Sequence, residues 1–200
     1  MRTETLSGGF ADPAIQSAQA FRSVMEAMAR PGTIRDVGGA QPPAPLSRAA
    51  GAVLLTLCDS ETPVHLAGEA DCQAVRAWLA FHTGAQVTGP SHCMFALGTW
   101  DALCPLSSYP VGTPEYPDRS ATLIVECPEL IAAGATLTGP GIRISASLSL
   151  PEIAAFRSNR RLFPLGLDFI FTSGDRLAAL PRSTIVGDAP GDAAPPEGAS

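Results

Sequence analysis

Two hundred residues, 46% of them hydrophobic, suffice for one full core, and a single domain is expected. A formal net charge of −6 argues against a nucleic-acid surface, which needs Lys and Arg to displace condensed counterions. All thirteen basic residues are Arg, so the chain can form neither a pyridoxal-phosphate Schiff base nor a Walker-type phosphate loop, both of which require lysine.

Residues 1–11 show no periodicity and are expected to be loose. Asp12 before Pro13 reads as an N-cap followed by proline in the first helical turn. Phe21, Val24, Met25 and Met28 then recur at helical spacing as an apolar stripe, expected to face the core, and Pro31-Gly32 ends the helix. Residues 1–17 contain no apolar signal core, and the longest uncharged apolar run, residues 49–58, is too short to cross a bilayer. A cytoplasmic protein without a membrane partner is the expectation.

A Gly/Pro loop over residues 38–45 precedes Ser47, which is placed to cap a helix over residues 49–58 buried on all sides. Val64-His65-Leu66 is a short strand, with His65 expected to be structural. Residues 69–83 read as an amphipathic helix with Cys72, Val75, Trp78 and Leu79 on its apolar face and Gly84 as its C-terminal cap. His82 falls in its last turn, where a cation complements the helix dipole. A strand over residues 93–98 and a short helix over 101–106 follow.

Residues 107–120 carry Pro110, Pro114 and Pro117 among Tyr109, Tyr116, Glu115 and Arg119. So long an irregular stretch suits a binding or subunit interface as well as a plain surface loop. Strands are expected over residues 121–126, 135–138 and 142–148. The Gly139-Pro140-Gly141 break is read as a structural turn in preference to an anion loop. Ser149 and Glu152 have the spacing of a capping box for a helix running to Arg161. Arg157, Arg160 and Arg161 form the densest positive cluster and are the candidate anion or partner surface.

Residues 167–172 and 176–180 make an apolar hairpin around Ser173-Gly174-Asp175, closed by Pro181. Asp168, at its mouth, must find partners if buried. Residues 188–200 are Pro, Gly, Ala and acid, expected to be a disordered tail, leaving residues 12–187 as one α/β domain. The five cysteines, Cys58, Cys72, Cys93, Cys104 and Cys127, never fall into a Cys-x-x-Cys pair and read as buried thiols. No catalytic residue, metal site or cofactor site emerges.

Several motifs lie in an order that carries a resemblance. They are Phe163-Pro-Leu-Gly-Leu-Asp168 with Leu180-Pro-Arg-Ser-Thr184, Ala20-Phe-Arg22 with Ala27-Met-Ala-Arg-Pro-Gly32, and Val53-Leu-Leu-Thr-Leu57 with Asp59 and Thr62-Pro-Val64. Phe81-His-Thr83, Ala121-Thr-Leu-Ile124 and Leu137-Thr-Gly-Pro-Gly-Ile142 complete the set. Together they resemble the H subunit of the bacterial carbon-phosphorus lyase system for phosphonate use.

The resemblance implies a three-layer α/β/α sandwich with a mixed sheet, similar to pyridoxal-phosphate transferases but lacking their cofactor site. It further implies a homodimer that assembles with G, I and J subunits. That system, with ATP, couples an alkylphosphonate to ribose with release of adenine, giving a ribose 1-phosphonate 5-triphosphate. The motif residues are turn and core positions, so the implied role is a non-catalytic structural subunit. The competing reading is a free-standing enzyme on a phosphorylated small molecule, with the Arg cluster holding phosphate and Asp168 or His82 as base.

Overall fold

The computed structural model describes residues 7–189. The expectations for residues 1–6 and 190–200 lie outside the described residues. Among the described residues no helix is long and apolar enough to cross a membrane.

A six-stranded mixed sheet organises the chain. Its strands are β1 (Arg35–Asp36), β2 (Val64–Leu66), β3 (Phe95–Thr99), β4 (Thr122–Glu126), β7 (Asp168–Ser173) and β8 (Arg176–Leu180), in the spatial order β1-β8-β7-β4-β3-β2. The β2, β3, β4 and β7 neighbours are parallel, while β8 returns antiparallel to β7 and β1 antiparallel to β8. The β7–β8 hairpin turns at Gly174, whose φ of +57° a side chain would strain. A second, antiparallel sheet holds β5 (Ala135–Thr138), β6 (Ala146–Leu148) and β9 (Ile185–Gly187), ordered β6-β5-β9.

The central strands are apolar because both sheet faces are covered, and alternate residues enter different cores. Leu97, Ile124, Ile170 and Ala179 point into a core built with the helices α1 (Pro13–Ala29), α2 (Arg48–Leu57) and α3 (Gln73–Thr83). Leu123, Val125, Phe169, Phe171 and Ala178 point into the other, shared with α4 (Trp100–Leu103), α5 (Ile153–Arg160) and the small sheet. The second covering layer is thus part helix and part sheet. Phe156 of α5 meets Phe169 edge-on at 4.9 Å and Trp100 at 4.9 Å. Truncating so buried a phenylalanine costs about 3–5 kcal/mol.

Local signals explain the helix boundaries. The Asp12 carboxylate accepts from the Ile15 N–H at 3.3 Å at the head of α1, and the Ser47 hydroxyl accepts from the Ala50 N–H at 3.1 Å at the head of α2. Ala49 to Leu54 in α2 are all buried, as the uncharged run implies. Gly84 ends α3 with φ +72°, and the buried face of that helix is Val75, Trp78 and Leu79. The Gly139-Pro140-Gly141 segment is a turn, with the Ile142 N–H donating to the Gly139 carbonyl at 3.1 Å.

Four expectations are corrected. The buried line of α1 is Ala20, Val24 and Ala27, whereas Phe21 and Met25 are about half exposed, at 49% and 50%. Small residues on the inner line let α1 lie close to α2 and β8 and turn the large ones outward. The helix expected from residue 69 starts at Gln73, because a single 3₁₀ turn over Gly68–Ala70 comes first and leaves Cys72 at the cap position. The strand expected over residues 142–148 is confined to β6, and Ile144 is 76% exposed. Gly139, at φ +125°, breaks the ladder just past β5. No capping box forms on α5. The Ser149 hydroxyl accepts from the Ile131 N–H at 3.1 Å, and the Glu152 carboxylate accepts from Trp100 Nε1 at 3.3 Å.

Segment 7–11 is engaged with the body. The Gly8 carbonyl accepts from the Gln41 N–H at 2.8 Å, and Phe10 packs on the first core.

Candidate functional site

In open α/β sheets ligands collect beyond the carboxyl ends of parallel strands. Here a cleft of about 580 Å³ lies there, at the ends of β2, β3 and β4. Its walls are small or apolar, among them Pro45, Leu46, Ala67, Gly68 and Ala102. Gly68 has φ +59°, and a Cβ there would stand 2.7 Å from the Ala102 methyl, so the cleft's width depends on its absence.

Each of the three strands delivers one acid to the cleft: Glu69 just past β2, Asp101 just past β3, and Glu126 as the last residue of β4. Glu126 is the least exposed of the three and is partly buried. Its Oε1 accepts from the Ser47 N–H at 2.7 Å and its Oε2 from the Thr172 hydroxyl at 3.0 Å. Burial pushes its pKa above the ordinary glutamate value, with the Ser47 and Thr172 hydrogen bonds pulling the other way. The positive end of α2 is therefore already met by this carboxylate. Glu69 and Asp101 are exposed on the rim. The cleft as a whole has no basic residue in its lining, which disfavours a phosphate there.

At the opposite end of the parallel strands, residues 107–120 meet the corner between α5 and β7. The Gly166 N–H donates to the Val111 carbonyl at 3.0 Å, and Asn159 clamps Leu167 through both main-chain groups at 2.8 Å each. Two arginine–aromatic pairs stand on these joined segments: Arg119 lies 4.0 Å over the Tyr116 ring and Arg160 lies 4.5 Å over the Phe163 ring. Tyr116, Leu162 and Phe163 are about half exposed.

The Arg cluster on α5 divides between different tasks. Arg157 donates from Nε to the Val186 carbonyl at 2.9 Å and pairs with Asp188 at 2.9 Å, so it fastens β9 to α5. Arg160 stacks on Phe163, and its buried Nε has no acceptor among the described residues. Arg161 is exposed. Asp168 is bound to Arg182. His82 is on the other side of the sheet, in α3, where Nε2 is 3.2 Å from the Ser7 carbonyl and the ring packs on Trp78 and Phe81. His65 Nδ1 is 3.0 Å from the Thr88 carbonyl. The Arg cluster and His82 are thus not brought together.

Sequence reasoning passed over the acids of the cleft and Arg182. The acids had a signal: each stands at or just beyond the end of an apolar strand. Arg182 had none, since its partners come from residues 117, 120 and 168.

Residues 8–187 match the family of the bacterial phosphonate metabolism protein PhnH. The chain belongs to the PhnH family. Over 195 residues it is 41% identical to the alpha-D-ribose 1-methylphosphonate 5-triphosphate synthase subunit PhnH of Rhizobium meliloti (strain 1021), covering 92% of this chain and 96% of that protein. It is also 30% identical over 181 residues to the putative C-P lyase subunit protein HtxG of Stutzerimonas stutzeri, covering 82% and 83% of the two chains. The PhnH match spans nearly all the described residues, so both the acidic cleft and the arginine–aromatic patch belong to the PhnH portion of the chain.

Proposed function

We propose that this chain is a non-catalytic, structural subunit of a ribose 1-methylphosphonate 5-triphosphate synthase in phosphonate metabolism. It acts in the cytoplasm as a homodimer that joins G, I and J subunits. The similarity to the Rhizobium meliloti synthase subunit supports the assignment to that complex. The observation that carries the structural role is the pair of arginine–aromatic stacks, Arg119 on Tyr116 and Arg160 on Phe163. Tyr, Phe and Arg are the residue types that anchor protein interfaces, and Tyr116, Leu162 and Phe163 leave about half of their surface open on this patch. Arg161, beside it, extends the same surface, and Arg157 fixes its support.

Self-association is assigned to the outer face of α1, where Ile15, Phe21 and Met25 are each about half exposed around Ala18. A two-fold dimer places the same stripe from each copy in contact. The fold likeness to pyridoxal-phosphate transferases belongs to this reading as well, with no lysine to bind that cofactor.

Light scattering tests the reading. The chain alone should have the mass of a dimer, Phe21→Glu with Met25→Glu should halve it, and co-expression with G, I and J should give one stoichiometric complex. Arg160→Ala with Phe163→Ala should leave the dimer and lose the complex. A wild-type chain that never joins those subunits overturns the proposal.

A further inference from the structure

The acid-rimmed cleft beyond β2, β3 and β4 has no role in the interface described above, yet it is shaped and charged for an occupant. Its walls suit the aliphatic part of a side chain: Leu46, Ala67 and Ala102 are apolar, and Gly68 leaves the room that a Cβ would close. Its charge is of one sign. Glu69 and Asp101 have no ion-pair partner among the described residues, and no arginine lines the cleft.

Three alternatives fit less well. Among the described residues no group of three or more His, Cys, Asp or Glu is placed to hold a metal ion, these three acids included. The α2 N-terminus, which would favour an anion, is already occupied by Glu126. A free small cation gains little from exposed carboxylates, because water and salt screen such pairs. A cation delivered by a protein surface that is already docked is held at high effective concentration and also buries its stem.

We infer that the cleft is a second docking point of the chain, receiving an arginine or lysine side chain from a partner subunit. Glu69 and Asp101 bind the charged head, and Leu46, Ala67 and Ala102 pack on the stem. The inference rests on the reading of this chain as a complex subunit and adds the surface and the chemistry of one contact.

The test measures binding of the full-length chain to immobilised complex of the remaining subunits across a range of salt concentrations. The variants are Glu69→Gln with Asp101→Asn, which removes charge from exposed positions, and Ala102→Trp, which fills the cleft. Thermal melts of each variant, and its retained dimer mass, check the fold. Removing the two charges should weaken binding by about tenfold or more and flatten the salt dependence, and Ala102→Trp should weaken it comparably. Wild-type binding with both variants unchanged in affinity and salt dependence overturns the cleft inference and leaves the subunit reading standing. A wild-type chain that binds none of the subunits removes both.

Discussion

Arg182 grips Asp168 with its side chain and main chain together. Its Nε lies 3.2 and 3.1 Å from the two carboxylate oxygens, and its N–H donates to Oδ1 at 2.8 Å. The guanidinium then reaches past the hairpin to the Pro117 carbonyl at 2.7 Å and to the Ser120 hydroxyl. One side chain therefore ties β7, the segment after β8 and the end of the irregular loop. The two side chains are only 14% and 17% exposed, so neither charge is left to water.

Arg182→Ala leaves Asp168 as a mostly buried, unpaired carboxylate, and the expected loss is about 3 kcal/mol of stability. Lysine should not restore it, because a point charge cannot serve a carboxylate, a carbonyl and a hydroxyl in one plane. Urea denaturation checks the stability, and faster hydrogen exchange over residues 117–121 checks the loop. Stability within about 0.5 kcal/mol of wild type would refute the clamp.

Gly141 gives a second prediction, which concerns the turn that follows β5. Its φ is +80°, and a Cβ there would stand 1.9 Å from the Ala29 carbonyl oxygen at the end of α1. Gly141→Ala is expected to destabilise by about 2 kcal/mol or more. Gly38→Ala, where no atom lies within 4 Å of the added Cβ, is the control and should change stability little. Equal melting temperatures for the two variants would contradict a structural turn.

These two sites show what is legible in a sequence of this kind. Capping of α1 by Asp12 and of α2 by Ser47, the buried run of α2 and the β7–β8 hairpin are local features, and each was readable from neighbouring residues. The inner face of α1 was not. Phe21 and Met25 have the spacing of a core stripe, but Ala20, Val24 and Ala27 have it too, and the close approach of α2 and β8 decides between them. The same limit applies to the candidate sites. Arg157, Arg160 and Arg161 are neighbours in sequence with different tasks, whereas the acids of the cleft are far apart in sequence and meet only through parallel strand pairing.

Cysteine reactivity supplies a third prediction. Burial pushes the Cys58 thiol up to about 12 and the Cys93 and Cys127 thiols up to about 11. At pH 8 these groups have almost no thiolate, which is the reactive form. Cys104 is exposed, although burial of the thiol and then Glu152 and Asp101 also raise its pKa. A disulfide reagent at pH 8 should modify Cys104 well before those three, and all five should react in denaturant. Rapid labelling of Cys58 in the folded chain, located by mass spectrometry, would contradict the packing of α2.

Glu126 makes stability depend on pH in a direction that can be worked out. Burial, its largest influence, raises the folded-state pKa above the ordinary value of 4.5. Between 4.5 and the raised value the folded chain holds a proton that the unfolded chain has released. Stability contributed at this site is therefore highest below 4.5 and falls as pH rises through that window. Asp59 and Asp71 act in the opposite sense. Their pKa values are lowered by hydrogen bonds, from the Thr62 hydroxyl to Asp59 and from Arg76 to Asp71. Both are present in wild type and in Glu126→Gln, so their contributions cancel in a comparison of the two. Glutamine retains an oxygen for the Ser47 N–H and cannot titrate. The melting temperature of Glu126→Gln minus that of wild type should be constant below 4.5 and should rise toward pH 7. Thermal melts at half-unit pH intervals measure it. Parallel profiles would show that the hydrogen bonds from Ser47 and Thr172 cancel burial at the end of β4, and a wild type that gains on the variant as pH rises would show that they outweigh it.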